Sequence, residues 1–165
     1  MKNQKIRFMT HAAMIAAVYV VLTYLFAPFS FGEIQIRLSE ALTVLPLFTP
    51  AAIPGLFIGC LLGNILGGAI LPDIIFGSLA TLIGAVFTWK LRQKGPIIGV
   101  LPPIVANSLI VPFVLRFGYG VPLPLPFMAL TVGIGEILSC GVIGNILYHA
   151  LNSYRNVLFG ASFEQ

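Results

Sequence analysis

Charge is the property that this chain of 165 residues most conspicuously lacks, since Asp, Glu, Lys and Arg together make up only 8% of it. Soluble domains carry roughly 25% charged residues, about three times as much. Hydrophobic residues reach 58%, and the mean hydropathy is +1.01. These values exclude an ordinary soluble domain and predict an all-α integral membrane protein that forms a single domain over residues 1–165.

Residues that perform chemistry in enzymes are also sparse. The two cysteines, Cys60 and Cys140, are about eighty residues apart and have no histidine nearby, so we expect neither a metal site nor a disulfide framework. His11 and His149 lie near the ends of hydrophobic segments, far from the carboxylates. No GxxxxGK[ST] phosphate loop occurs, which predicts that the chain does not itself hydrolyse ATP. We therefore expect no enzymatic activity, no cofactor and no metal.

The chain contains six hydrophobic segments separated by Pro- and Gly-rich turns. We predict helices at about 8–27, 38–48, 54–66, 74–89, 97–115 and 127–151. Because a spanning helix needs about 20 residues, the second and third segments are short, and we expect them to be tilted or to extend past these bounds.

Lys and Arg distribute unevenly between the two sides that six spans define. One side holds Lys2, Lys5, Arg7, Lys90, Arg92, Lys94 and Arg155, and the other holds only Arg37 and Arg116. An excess of Lys and Arg marks the cytoplasmic loops of membrane proteins. This pattern predicts that both termini are cytoplasmic and that the loop before the second helix faces outside. The net charge of +4 is explained by this topology and indicates no nucleic-acid partner.

The stretch FGEIQIRLSEALTVLP, residues 31–46, concentrates polar side chains next to an apolar segment. Placing a charged residue at the centre of a membrane helix costs about 2.5–3.5 kcal/mol, so such residues indicate a site. Glu40 leads directly into the apolar run and is the strongest candidate. Gln35 and Arg37 precede it, and we predict that residues 29–37 form an outer lid. The alternative is an interfacial loop in which Glu33 and Arg37 face water and pair only weakly.

Later helices carry few polar residues. Glu136 follows two glycines in the outer half of the sixth helix and needs a partner, a proton or a ligand. Asn107 lies in the middle of the fifth helix and Asn64 near the outer end of the third. Each of these is either a ligand contact or a hydrogen bond between helices. Asn145 is expected to be structural.

Small residues recur at four-residue spacing in two helices. Gly55, Gly59, Gly63 and Gly67 follow one another in the third helix, and the first helix carries the pairs Ala12/Ala16 and Ala13/Ala17. In lipid, small residues allow helices to approach closely. We expect the glycines to pack inside the bundle. The alanines either pack internally or present a surface to a partner protein.

Several longer runs resemble one known family. These are FAPFSFGEIQIRLSEALTVLPLFTPAAIPGLFIGCLLGNILGG, DIIFGSLATLIGA, PPIVANSLIVP and GIGEILSC. Over roughly Phe8 to Leu151 the chain resembles the QueT family, the substrate-binding subunits (S-components) of energy-coupling factor (ECF) transporters for queuosine precursors. The resemblance implies a multi-pass cell-membrane protein with six transmembrane helices and both termini inside. It also implies as partners a transmembrane coupling subunit and two cytoplasmic ATPases, with Ala12, Ala13, Ala16 and Ala17 matching the face presented to the coupling subunit.

The ligand implied by the resemblance is a 7-deazaguanine, such as the 7-aminomethyl base or queuine. A carboxylate accepts two parallel N–H donors and so suits a guanine-like edge. On this basis the substrate-binding residues are expected to be Glu40, Glu136, Asn107, Asn64, Gln35 and Arg37. The aromatic residues considered for stacking on the base are Phe31, Phe113, Phe127 and Tyr119.

Two other functions remain open. A stand-alone facilitator or secondary carrier for a small polar solute would need no ATPase partner. Alternatively, the same S-component architecture would serve another vitamin-like solute. A self-contained carrier usually shows inverted repeats, whereas the polar stretch at residues 31–40 has no counterpart in the second half of the chain.

Overall fold

A computed structural model describes residues 2–26 and 37–159, apart from the side chains of Lys2 and Asn156. These ranges are helical and contain no strand. The helices are α1 (Lys2–Leu25), a 3₁₀ helix (Leu38–Leu47), α2 (Ala52–Leu66), α3 (Leu71–Lys90), α4 (Pro96–Gly118), α5 (Leu125–Asn152) and the short α6 (Arg155–Leu158). The α3–α4 connection contains a 3₁₀ turn, Arg92–Lys94.

Four of these helices, α1, α3, α4 and α5, are long and apolar enough to cross a membrane. The first begins at Lys2 rather than near Phe8, because the polar N-terminal residues continue the same helix. The 3₁₀ helix and α2 remain as short as the sequence suggests. At a rise of about 2.0 Å per residue, a 3₁₀ helix of this length covers about 20 Å, less than the ~30 Å hydrocarbon core.

The 3₁₀ helix lies at the centre of the bundle. Nine of its ten residues are buried, and it contacts α1, α3 and α5. Since the longer helices enclose it, this segment does not have to match the thickness of the bilayer. Pro46 lies inside it and has no N–H to donate. Its central position is what carries Glu40 into the interior.

The glycines of α2 pack against α1, which confirms the prediction of internal packing for three of them. A Cβ at Gly55 would lie 2.8 Å from the Ala12 carbonyl oxygen, and one at Gly59 would lie 2.7 Å from the Tyr19 Cβ. At Gly63 the nearest atoms belong to Thr23. The two helices therefore approach closely only because α2 lacks side chains on this face.

The four alanines of α1 divide into two pairs. Ala16 is buried against Gly59, and Ala12 meets Gly55 through its carbonyl oxygen. In contrast, Ala13 and Ala17 are exposed on the outer surface. Ala12 and Ala16 therefore pack within the bundle. Of the four alanines, only Ala13 and Ala17 are exposed to a partner protein.

Both ends of the described chain lie at the same end of the bundle. The ring of His11 meets that of Phe159 with centroids 6.3 Å apart, and Phe48 stacks on Phe159 at 5.2 Å. The opposite end contains the start of α3 and the loop that follows α4. Between the two ends, large apolar side chains such as Phe76, Leu109 and Leu130 are exposed, as helices facing lipid require.

Candidate functional site

Two carboxylates from distant parts of the chain meet inside the bundle. Glu40 comes from the 3₁₀ helix and Glu136 from α5, and they are 1% and 5% exposed. Together with the Cys140 sulphur, one carboxylate oxygen of each lies within 4.8 Å of the others. Neither carboxylate forms an ion pair with a described residue. The sequence predicted both as site residues, and the structure brings them together.

Glu40 is held in place by one of its two oxygens. The Tyr19 hydroxyl of α1 and the Thr81 hydroxyl of α3 both donate to Oε1, the latter at 3.2 Å. The other oxygen, Oε2, is buried and accepts no hydrogen bond from the described part of the chain. An acceptor without a donor in an apolar bundle is costly. The arrangement therefore leaves Oε2 ready to accept a hydrogen bond from a ligand.

Glu136 lies at the point where α5 changes its winding. A π-helical stretch, Ile137–Ile143, begins directly after it, and π-helical turns are frequent at functional sites. The Cys140 thiol lies 3.1 Å from Glu136 Oε2 and 3.3 Å from the Glu40 carbonyl oxygen. The four-residue spacing of Glu136 and Cys140 is a local signal for that contact, whereas no local spacing links Cys140 to Glu40.

Asn107 of α4 lies beside the two carboxylates. It is 3% exposed, and its Nδ2 lies beside both carboxylates without hydrogen-bond geometry to any described residue. The amide offers donors, while Glu40 Oε2 offers an acceptor. The three residues Glu40, Glu136 and Asn107 thus form a polar set that suits a flat molecule with several N–H groups.

The same cluster contains the set of three metal-ligand side chains found among the described residues, namely Glu40, Glu136 and Cys140. However, the groups around it are hydrogen-bond donors: the Tyr19 and Thr81 hydroxyls already donate to Glu40. A bare cation cannot accept a hydrogen bond, so the buried Asn107 Nδ2 beside the pair favours an organic ligand that also carries an acceptor oxygen.

A second polar cluster lies toward the end where α3 begins. Arg37 Nη2 and Asp73 Oδ2 form an ion pair at 3.2 Å, and the Tyr119 hydroxyl donates to the same carboxylate oxygen at 3.0 Å. The Asn64 amide donates to the Asp73 carbonyl oxygen at 3.3 Å. A Cβ at Gly77 would lie only 2.9 Å from Asp73 Oδ1, so the glycine leaves room for the cluster.

The alternative of an interfacial loop in which Arg37 faces water is wrong, because this side chain is 5% exposed and paired with Asp73. A contact of Arg37 with the ligand stays a prediction. Burial alone would lower the pKa of the Arg37 guanidinium, but the Asp73 carboxylate raises that pKa above its ordinary value, so the group stays charged. Glu33 and Gln35 lie outside the described residues, as does nearly all of the predicted lid. Asn64 contacts the Asp73 carbonyl oxygen and, at 3.7 Å, the Cys60 sulphur; a contact with the ligand stays a prediction.

The aromatic candidates for stacking are placed elsewhere. Phe113 and Phe127 are exposed on the outside of the bundle by 54% and 49%, respectively, so the prediction that either stacks on a buried ligand is wrong. Tyr119 uses its hydroxyl to hold Asp73. Phe31 lies outside the described residues. A long apolar helix gives no sequence signal for which aromatic faces inward, and this explains the error.

The chain is similar in sequence to one known protein family over most of its length. The sequence model of the QueT transporter family matches residues 9–153, a range that includes Glu40, Asp73 and Glu136. The chain belongs to the QueT transporter family. A curated relative of this QueT-family chain is "Queuosine precursor transporter QueT" of Lactococcus lactis subsp. cremoris (strain MG1363), which is 36% identical over 85 residues. That alignment covers 50% of this chain and 50% of the relative. No solved structure matches the chain.

Proposed function

We propose that this chain is the membrane-embedded substrate-binding subunit of an ATP-driven ECF importer for a queuosine precursor. The observation that carries the proposal is the buried pair Glu40–Glu136, found in a member of the QueT family. Buried carboxylates without a cation are unfavourable in a bilayer unless a proton or a ligand neutralises them. In a transporter family, the natural neutralising group is the substrate.

The ligand that fits is a 7-deazaguanine. Its N1–H and exocyclic amine donate side by side, as a carboxylate requires, and its carbonyl oxygen accepts from an amide such as Asn107. Glu40 suits the guanine-like edge through Oε2 alone, because Oε1 already accepts from Tyr19 and Thr81 while Oε2 keeps both lone pairs without a donor among the described residues.

The second carboxylate favours precursors that carry an amine. An aminomethyl group is cationic at neutral pH and would be neutralised by Glu136, whereas a nitrile brings no charge. One cation beside two carboxylates leaves a single negative charge, which the hydrogen bonds from Tyr19 and Thr81 to Glu40 help to disperse. We therefore expect the aminomethyl base and queuine to bind more tightly than the nitrile precursor.

Access to the pair requires a gate. Both carboxylates are buried, so the ligand reaches them only after a covering element moves. The Arg37–Asp73–Tyr119 cluster joins three separate parts of the chain at one end of the bundle, and its contacts are of the kind that can break and reform. We assign this end to the outside, with six spans and both termini cytoplasmic, in agreement with the Lys and Arg distribution.

Energy would come from partners, namely a transmembrane coupling subunit and two cytoplasmic ATPases. Ala13 and Ala17 are exposed on α1 and form the candidate docking surface for the coupling subunit. Two functions compete with this proposal. One is a stand-alone facilitator or secondary carrier, and the other is an S-component for a different solute.

Uptake in cells separates these functions. Cells that express this chain with and without the ATPase subunits would be given labelled 7-aminomethyl-7-deazaguanine. We expect uptake only when the ATPases are present. Undiminished uptake without them would favour the facilitator, and no uptake with the complete set, together with no binding by the purified chain, would favour another solute.

A further inference from the structure

The end of the bundle that carries both chain ends contains a polar cavity far from the carboxylate pair. It has a volume of about 390 Å³. Its lining residues come from the end of the 3₁₀ helix, the end of α3, the 3₁₀ turn that follows α3, the end of α5 and the start of α6: Leu47, Phe48, Trp89, Arg92, Gln93, Tyr148 and Arg155. Two guanidinium groups therefore border one cavity, with aromatic rings beside them.

Arg92 is oriented by its neighbour. Its guanidinium carbon lies 3.9 Å from the centroid of the Trp89 ring, and Nη1 donates to the Trp89 carbonyl oxygen at 3.2 Å. Stacking on an aromatic face fixes the plane of a guanidinium and leaves its N–H edge available. Two other lining residues, Tyr148 and Phe48, stack on each other with ring centroids 5.0 Å apart.

The charge at this end has one sign among the described residues. Lys90 and Lys94 flank Arg92 in the chain, and Lys5 and Arg7 lie in the first turns of α1. The described acidic residues are Glu40, Asp73 and Glu136, and they belong to the two polar clusters already described. The charges that the described residues place around the cavity are therefore positive, and they would attract an anion.

We propose that this cavity binds the phosphate of an anionic phospholipid headgroup. Guanidinium groups match phosphate oxygens in two-pronged geometry. Trp and Tyr prefer the level of the headgroups, which is where the ends of spanning helices lie. Basic pockets between transmembrane helices on the cytoplasmic side are known to hold lipid headgroups. The site is separate from the carboxylate pair and does not depend on what that pair binds.

The test uses the purified full-length protein in a neutral detergent. Dioleoyl phosphatidylglycerol, dioleoyl phosphatidylcholine or inorganic phosphate is added, and thermal unfolding and retained lipid (by native mass spectrometry) are measured. We expect phosphatidylglycerol alone to raise the unfolding temperature and to remain bound. Stabilisation by inorganic phosphate to the same extent would mean that the site takes free phosphate, and equal stabilisation by phosphatidylcholine would mean a non-specific lipid effect. Either result overturns the proposal.

Matched variants locate the effect. Arg92→Gln and Arg155→Gln each remove a charge from the cavity wall, and Lys94→Gln removes the same charge from an exposed position outside it. Losing a charged hydrogen bond should weaken phosphatidylglycerol binding by about tenfold or more, whereas the Lys94 variant should change it less than about threefold because exposed charges are screened. Equal losses in all three would contradict the proposal. Arg92→Lys keeps the charge and replaces Arg92→Gln if that variant fails to fold. It should still bind the lipid, but more weakly than the wild type, because an ammonium group lacks the two-pronged geometry. Binding as tight as that of the wild type would contradict a two-pronged contact.

Discussion

Replacing Asp73 by Asn tests whether the outer cluster is the gate of the site. The change keeps the shape of the side chain but removes the carboxylate that forms the ion pair with the buried Arg37. A hydrogen bond to a charged group contributes about 1.5–3 kcal/mol, and breaking a buried pair costs about 3–5 kcal/mol. The Asn oxygen still accepts from Arg37 and from Tyr119. We therefore expect Asp73→Asn to lower the stability of the closed state by about 2–3 kcal/mol. If opening separates Arg37 from residue 73, this corresponds to ligand release about 30- to 150-fold faster.

Stopped-flow binding to the purified protein measures capture and release separately. We expect faster release, with capture unchanged or faster, because the same contacts must open for entry and exit. Slower capture with unchanged release would indicate electrostatic steering and would refute the gate. The double variant Arg37→Gln/Asp73→Asn is the control. Removing both charges of the Arg37–Asp73 pair leaves no buried cation that has lost a carboxylate, so the unfolding temperature of the double variant should lie closer to that of the wild type than the single variant's does.

Three further variants test other parts of the account. Tyr19→Phe removes a donor from the first carboxylate and should weaken ligand binding about tenfold by calorimetry; unchanged affinity would mean that this hydroxyl does not position the site. Gly59→Ala places a Cβ 2.7 Å from the Tyr19 Cβ and should lower the free energy of unfolding by about 1–3 kcal/mol. The control Gly141→Ala should be tolerated, because the nearest atoms to its Cβ lie at 3.6 and 3.9 Å. Equal unfolding temperatures of the two variants would contradict the packing argument. Ala13→Leu/Ala17→Leu should abolish co-purification with the coupling subunit and spare ligand binding, and normal co-purification would remove α1 from the docking surface.

The composition and the rarity of charge were enough to indicate a helical membrane protein and to single out Glu40 and Glu136. Both are acidic residues inside apolar runs, and that signal is local. Asp73 carries no comparable signal, since it stands beside Pro72 just before the predicted helix 74–89 and its partner Arg37 is distant in the chain. Tyr19 gave no signal either, because an aromatic in an apolar helix has the same pattern whether its hydroxyl is buried or not. Contacts between distant segments are set by packing and are not written in local spacing.

The 3₁₀ helix illustrates the same limit for the fold. Its bounds, Leu38–Leu47, agree with the expected segment of 38–48 to within one residue, yet its tight winding was not anticipated. A ten-residue apolar run with an internal proline is equally compatible with a short α-helix. What distinguishes the two is the enclosure by α1, α3 and α5, which only the complete bundle provides.

Calorimetric titration of the purified protein tests the central claim most directly. Wild-type protein and Glu136→Gln would each be titrated with the aminomethyl base, queuine and the nitrile precursor at neutral pH. The account predicts tightest binding of the amine-bearing ligands by the wild type, and a loss of about 10- to 150-fold for them in the Gln variant, the effect of one charged hydrogen bond. Wild-type affinity for the amines in a correctly folded Glu136→Gln variant would contradict it.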